Sequence, residues 1–291
     1  MFDICCIGHI TLDKVITPGS EVNMPGGTSF YFSNALSNMD VSYSLLTSIA
    51  ASESYIIDGL NAKGIHTEVF WGKHTVCFEN IYSFDQDHRQ QRVLEKADPF
   101  NMAQLSHVNA KIYHLGPLLA DDIPVNMIEH LSQKGIVSLD VQGYLREVKD
   151  QQVLAIDWLE KKAALPHVGI LKANETEMEV LTGCIDIREG AKALAGMGVK
   201  EVVITLGSKG SVIYSEGVFH NIPAYKPTAV VDATGCGDTY MAGYLYKKSK
   251  GASCYEAGTF AAAMATLKIG TSGPFSGTSE EVIKLLSANL Q

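Results

Sequence analysis

Several things are scarce in this chain, and each absence narrows the field. None of its six cysteines (Cys5, Cys6, Cys77, Cys184, Cys236 and Cys254) forms a Cys-x-x-Cys pair. No ligand spacing fits a structural zinc site. Positive charge is in deficit, with a net charge of −9, and a nucleic-acid surface would want a basic stripe instead. No apolar run approaches the ~20 residues needed to span a bilayer, so no membrane partner is expected. Met1-Phe2-Asp3-Ile4 does not read as a signal peptide, and scattered cysteines then read as reduced thiols in the cytoplasm. A Walker A loop, Gly-x-x-x-x-Gly-Lys-[Ser/Thr], is absent. No repeat, low-complexity tract or linker divides residues 1–291, so one domain is expected.

What is present is a core-forming composition. Hydrophobic residues make up 46% and charged residues 19% of the chain, which argues against disorder. Short apolar runs near 2–7, 43–49, 112–115, 136–141, 167–171 and 201–206 read as strands. Helical patterns near 52–63, 122–134, 156–165 and 256–269 fall between or after them. That alternation predicts an α/β fold: a mostly parallel sheet with helices on both faces. Residues 12–22 read as a β-hairpin. Residues 65–95 read as further extended chain with a polar turn at Asp85-Gln86-Asp87-His88. Together they predict a small β lid that would exclude water. Its apolar face would suit a second copy of the chain, since isolated hairpins are marginal.

The chain is organised around Asp232-Ala233-Thr234-Gly235-Cys236-Gly237-Asp238. Extended chain broken by Pro223 and Pro227 leads in, and Met241, Tyr244 and Leu245 follow at helical spacing. The turn is therefore a helix start, whose first N–H groups lack internal partners. Gly235 and Gly237 let an anion approach those amides, and the helix dipole supports it. Asp238 at such a site reads either as a helix cap or as a base that takes a proton from an attacking hydroxyl.

This spacing resembles the second signature of the ribokinase-like (PfkB) kinases, Asp-Thr-x-Gly-Ala-Gly-Asp. Ala233 and Cys236 depart from it, and an anion hole made of backbone amides survives both changes. Gly26-Gly27 followed by Asn34-Ala35-x-x-x resembles the family's first signature. Its variant form is similar to the branch that contains inositol kinases. Lys172-Ala173-Asn174-Glu175-Thr176-Glu177 matches the Asn-x-x-Glu element, and Thr205-Leu206-Gly207-x-x-Gly210 resembles the nucleotide loop. At Asp140-Val141-Gln142 the chain departs from the family's Asp-x-Asn-x-Arg.

The resemblance implies a ribokinase-like three-layer fold and an ATP- and Mg²⁺-dependent kinase acting on a hydroxyl of a small sugar or polyol. It implies Asp238 as general base, with Gly235, Cys236 and Gly237 as the anion hole. Asp13, Gly26, Gly27 and Asn34 would bind the acceptor, and Asn174, Thr205, Gly207, Gly210 and Thr259 the nucleotide. Glu177 would hold Mg²⁺ through water, although Asn174 and Glu177 read equally as a capping box. Asp232 and Thr234 would hold a monovalent cation, K⁺. Other readings are a nucleoside or other small-alcohol kinase, or a catalytically silent sensor on the same fold. Cys236 carries two readings: a helix-start thiol with lowered pKa and redox sensitivity, or a small side chain filling alanine space.

Overall fold

The computed structural model describes residues 1–82, 89–106 and 108–289. In chain order it begins with β1 (Phe2–Ile7), β2 (Thr11–Thr17), β3 (Ser20–Gly26), α1 (Thr28–Leu36), β4 (Tyr43–Ala50), α2 (Ser54–Asn61) and β5 (His66–Gly72). Then come β6 (Cys77–Tyr82), β7 (Arg89–Glu95), β8 (Ala110–Leu115), α3 (Val125–Ser132), β9 (Ile136–Asp140), β10 (Arg146–Lys149) and β11 (Gln152–Ala155). The C-terminal half adds α4 (Lys161–Ala164), β12 (Ile170–Asn174), α5 (Glu175–Thr182), α6 (Ile187–Gly196) and the meander β13 (Glu201–Thr205), β14 (Ser211–Ser215) and β15 (Val218–Ile222). It closes with α7 (Cys236–Ser249), α8 (Cys254–Ile269) and α9 (Ser279–Ala288).

Two sheets result. The large one has the order β15-β14-β13-β12-β9-β8-β1-β4-β5. From β13 to β5 every pairing is parallel, and β14 and β15 are antiparallel additions. Parallel strands need covering on both faces, which is why they read as continuous apolar runs. β1 shows the logic in four residues. Ile4 and Cys6 enter the core shared with α1, α2, α7, α8 and α9. Cys5 and Ile7 point the other way, into the core shared with α3 to α6. The alternation is the period of two of any strand, here apolar on both sides.

Close helix packing sets the site. Alanines of α8 let α7 approach so tightly that a Cβ on Gly243 would lie 3.2 Å from the Ala261 Cα. That contact fixes the direction in which the first turn of α7 points.

The small sheet has the order β10-β11-β7-β6-β2-β3. Val76, Phe78, Val93, Ala97, Leu118 and Leu119 form its own minor core. Its β2–β3 hairpin pairs Asp13 with Met24 and ends at Gly26, directly before α1.

Three expectations need correction. β5 is not lid: His66–Gly72 pairs in parallel with β4 at the edge of the large sheet. A strand pattern gives no sheet assignment, because the partner decides it. β10 and β11 instead join the lid, as two four-residue strands too short and too exposed to give a strand signal. The helix expected over 156–165 shrinks to the four residues of α4. The turn expected at 85–88 lies outside the described residues. Among the described residues, no helix is long and apolar enough to cross a membrane.

Candidate active site

The C-terminal ends of the parallel strands converge with the first turns of α1 and α7. This is the edge where open α/β sheets bind ligands. Each helix starts from a glycine with positive φ: Gly27 at 87° before α1 and Gly235 at 74° before α7. At Gly235 the requirement is double, since a Cβ there would fall 2.2 Å from the Tyr31 ring. Neither helix start is closed by a side-chain cap, so the first amides of α7 stay available.

Asp238 sits in the first turn of α7. Its side chain pairs with Thr28, the first residue of α1. Burial pushes its carboxyl up, the neighbouring Asp140 charge adds to this, and Lys172, Thr28 and Arg146 oppose it. The balance leaves it at about 6. Its carboxyl thus titrates close to neutrality, a range that suits proton exchange.

Lys172 is the residue that sequence reasoning quoted without giving it a role. It stands in β12 between Leu171 and Ala173, almost fully buried at 6% exposure. Its Nζ donates to Asp140 Oδ2 at 2.9 Å and lies 4.0 Å from Glu177 Oε2. A Cβ on Gly237 would be 3.4 Å from it, so the ammonium backs the α7 turn. Burial alone would depress its pKa, but the carboxylates of Asp140, Glu177 and Asp238 outweigh that and hold it above the usual lysine range. A lone cation inside an apolar strand was the available signal.

Asn174 and Glu177 form a reciprocal cap on α5. The Glu177 N–H donates to Asn174 Oδ1, and the Asn174 N–H donates to Glu177 Oε2, both at 2.8 Å. Burial raises the Glu177 carboxyl despite Lys172. Among the described residues, no three His, Cys, Asp or Glu side chains converge on a metal position. A Mg²⁺ that keeps its waters and takes one or two carboxylates does not need such a cluster. The hard oxygens of Glu177 fit that mode.

On the far side of the α7 turn lies a cavity of about 590 Å³. Thr205, Gly207, Gly210, Cys236 and Gly237 border it, together with Tyr225. On the near side, Asp13 lies against the chain before α1. A Cβ on Gly26 would be 2.6 Å from Asp13 Oδ2. The structure thus brings Asp13, Gly26, Gly27 and, through Thr28, Asp238 into one run.

Two assignments do not hold, and one of the two readings of Cys236 falls. Asn34 is buried at the far end of α1; its Nδ2 donates to the Phe30 carbonyl and its Oδ1 accepts from Lys63. Both ends of its amide are used in packing. Thr259 does not border the cavity; Ala262, Ala265, Thr266 and Ile269 present that face of α8 instead. The Cys236 thiol is not acidified by the helix start, because burial pushes it up to about 11. It is held as a neutral thiol near the Ala265 carbonyl, and the reading as small filler stands.

Asp232 and Thr234 are brought together, the Thr234 N–H donating to Asp232 Oδ1 at 2.9 Å. The neighbour they face is a buried lysine, Lys268.

The chain has known relatives. Residues 34–281 match the model of the pfkB family of carbohydrate kinases. A cytidine kinase of Thermococcus kodakarensis is 28% identical over 265 residues, covering 86% of this chain and 90% of that protein. A pyrophosphate-dependent kinase of the ribokinase family, solved with a pyrophosphate analogue and myo-inositol, superposes with a TM-score of 0.85 at 25% identity, over 97% of this chain and 99% of that one. Arabidopsis thaliana ribokinase, solved with ribose and ATP, superposes with a TM-score of 0.81 at 22% identity, over 98% of each chain. The fold is ribokinase-like, the protein is a small-molecule kinase, and the chain belongs to the pfkB carbohydrate kinase family.

Proposed function

We propose that this kinase transfers the γ-phosphoryl group of ATP to a hydroxyl of a small sugar, polyol or nucleoside. The observation that carries the reading is the placement of Asp238. It stands where the amide-lined α7 turn meets both the large cavity and the Asp13–Gly26–Gly27 run. The cavity supports a nucleotide donor. A pyrophosphate donor would use the amides alone, whereas about 590 Å³ beyond them accommodates a nucleoside.

In this reading the amides of Gly235, Cys236 and Gly237 hold the charge on the transferring group, and Lys172 adds its cation from behind. Asp13 accepts hydrogen bonds from neighbouring acceptor hydroxyls. The attacking hydroxyl oxygen bonds to the γ-phosphorus as its proton passes to Asp238. The bond to the β–γ bridging oxygen breaks and ADP leaves. Glu177 would hold Mg²⁺ through its water shell, and the bound ion would neutralise phosphate charge.

The test is ADP release against a panel of ribose, other sugars, inositols and nucleosides including cytidine, with ATP or pyrophosphate as donor. The reading expects one acceptor class to drive ADP release and to gain a phosphoester. Pyrophosphate outperforming ATP overturns the donor assignment. Binding of ATP without transfer to any acceptor favours a sensor.

A further inference from the structure

The resemblance to the family implies a K⁺ beside Asp232 and Thr234, and this structure puts a side chain there instead. Lys268, in the last turn of α8, is fully buried at 0% exposure. Its Nζ donates to the Asp232 carbonyl at 2.8 Å, to Asp232 Oδ2 at 3.3 Å and to the Thr271 carbonyl at 3.3 Å. An ammonium has three donors, and three oxygens take them. Backbone donors engage Asp232 as well. Oδ1 accepts from the Thr234 N–H, and Oδ2 accepts from the Gly273 N–H at 3.3 Å. Burial pushes the Asp232 carboxyl up, but the bonds from Thr234 and Lys268 outweigh it and hold it below the usual range.

The clamp joins two segments directly behind the anion hole. The Val231 and Asp232 N–H groups both donate to the Ile269 carbonyl, at 2.8 and 3.2 Å. Lys268 ties the same stretch to the 271–273 loop, and three residues on from Asp232 is Gly235, the start of α7. Without a cation, two carbonyl oxygens and a partly buried carboxylate would face one another, which is unfavourable. A second cation beside Lys268 would meet a charge of its own sign and oxygens that already bond to its ammonium. The residues present therefore do not fit an added K⁺.

We propose that Lys268 is a tethered cation that takes the place of a monovalent metal ion. It positions the α7 turn for the donor phosphates and makes the enzyme independent of K⁺, Na⁺ and NH₄⁺ in the medium. The chain carries its own cation, so the turn is set as soon as α8 packs. The inference rests on the reading of that turn as the donor-phosphate site.

The experiment measures two quantities in tetramethylammonium chloride, a cation too large to enter, and in KCl at the same ionic strength. One is kcat/KM for ATP. The other is the affinity for a non-hydrolysable ATP analogue by calorimetry, which needs no acceptor. For the wild type, both should agree between the salts within about twofold, or about 0.4 kcal/mol where tenfold is about 1.4. Lys268→Ala should lose roughly 10²-fold in turnover without K⁺, the scale of a small misplacement of a catalytic turn. KCl or methylammonium should restore a large part of both turnover and affinity, which a purely structural loss would not allow. Lys268→Met, which keeps the stem and fills the space, should be inactive in both salts. A wild type that needs K⁺ for analogue binding overturns the inference and leaves the kinase reading intact, and it needs no variant to fold. Analogue binding that is K⁺-independent, with no transfer to any acceptor, does the reverse. Lys268→Ala with full activity in tetramethylammonium also overturns the inference.

Discussion

Replacing Lys172 with methionine probes the charge balance on which the site depends. The substitution keeps the volume and removes a buried cation whose Nζ is 2.9 Å from Asp140 and 4.0 Å from Glu177. Breaking a buried pair from one side costs roughly 3–5 kcal/mol, because the partner charge stays behind. For 291 residues, an unfolding entropy of about 2.1 cal/mol/K per residue gives roughly 0.6 kcal/mol per degree. The expected fall in Tm is therefore about 5–8 °C at neutral pH. It should also depend on pH. Without the ammonium, which opposes the rise at both, burial and repulsion lift the folded-state pKa of Glu177 and Asp238 further. The folded state then binds more protons than the unfolded state between the two pKa values, so stability falls as pH rises through that window. The deficit at pH 8 should exceed that at pH 5 by at least about 1.4 kcal/mol, one pKa unit. Thermal denaturation of both proteins at the two pH values measures it. A deficit under about 1 kcal/mol that is the same at both pH values would refute the reasoning, since it would place Lys172 in solvent-like surroundings.

Two further outcomes follow from the site. Asp238 must be ionised to accept a proton and titrates at about 6, so kcat/KM should climb tenfold per pH unit below that value and level off above it. A pH–rate profile checks this, and a flat profile down to pH 4.5 contradicts it. Gly235→Ala meets both a positive φ and the Tyr31 ring at 2.2 Å. It should cost about 1–3 kcal/mol from the backbone and a similar amount from the displaced ring, with activity lost; an active variant with unchanged Tm would show that the turn adapts.

The parts of the molecule that were legible in the sequence are those whose signal is local. The α7 turn could be read because a strand-like approach, two spaced glycines and an aspartate lie within one short segment. The parallel sheet could be read because strands covered on both faces become apolar runs, as in β1 and β4. What failed depended on partners far away in the chain. His66–Gly72 reads as a strand whichever sheet it joins, and only β4 decides. Arg146–Lys149 and Gln152–Ala155 are four residues each and lie mostly exposed on a lid, too short for a period to show. Lys172 and Lys268 are the one cation in each of two largely apolar elements. Each became meaningful only when the fold placed it against Asp140 or Asp232, 32 and 36 residues away. Asn34 failed for the opposite reason: its motif was plausible, but Phe30 and Lys63 consume its amide.

The central claim is that Asp238 takes the proton from the acceptor hydroxyl. The most direct test is kcat of Asp238→Asn beside its affinity for the ATP analogue, on purified protein with the acceptor identified by the panel. General-base action is typically worth 10²–10⁴-fold, so the account predicts a loss of about that size in kcat with nucleotide affinity retained. Turnover within about threefold of the wild type would contradict it, because a group whose removal changes so little is not the base.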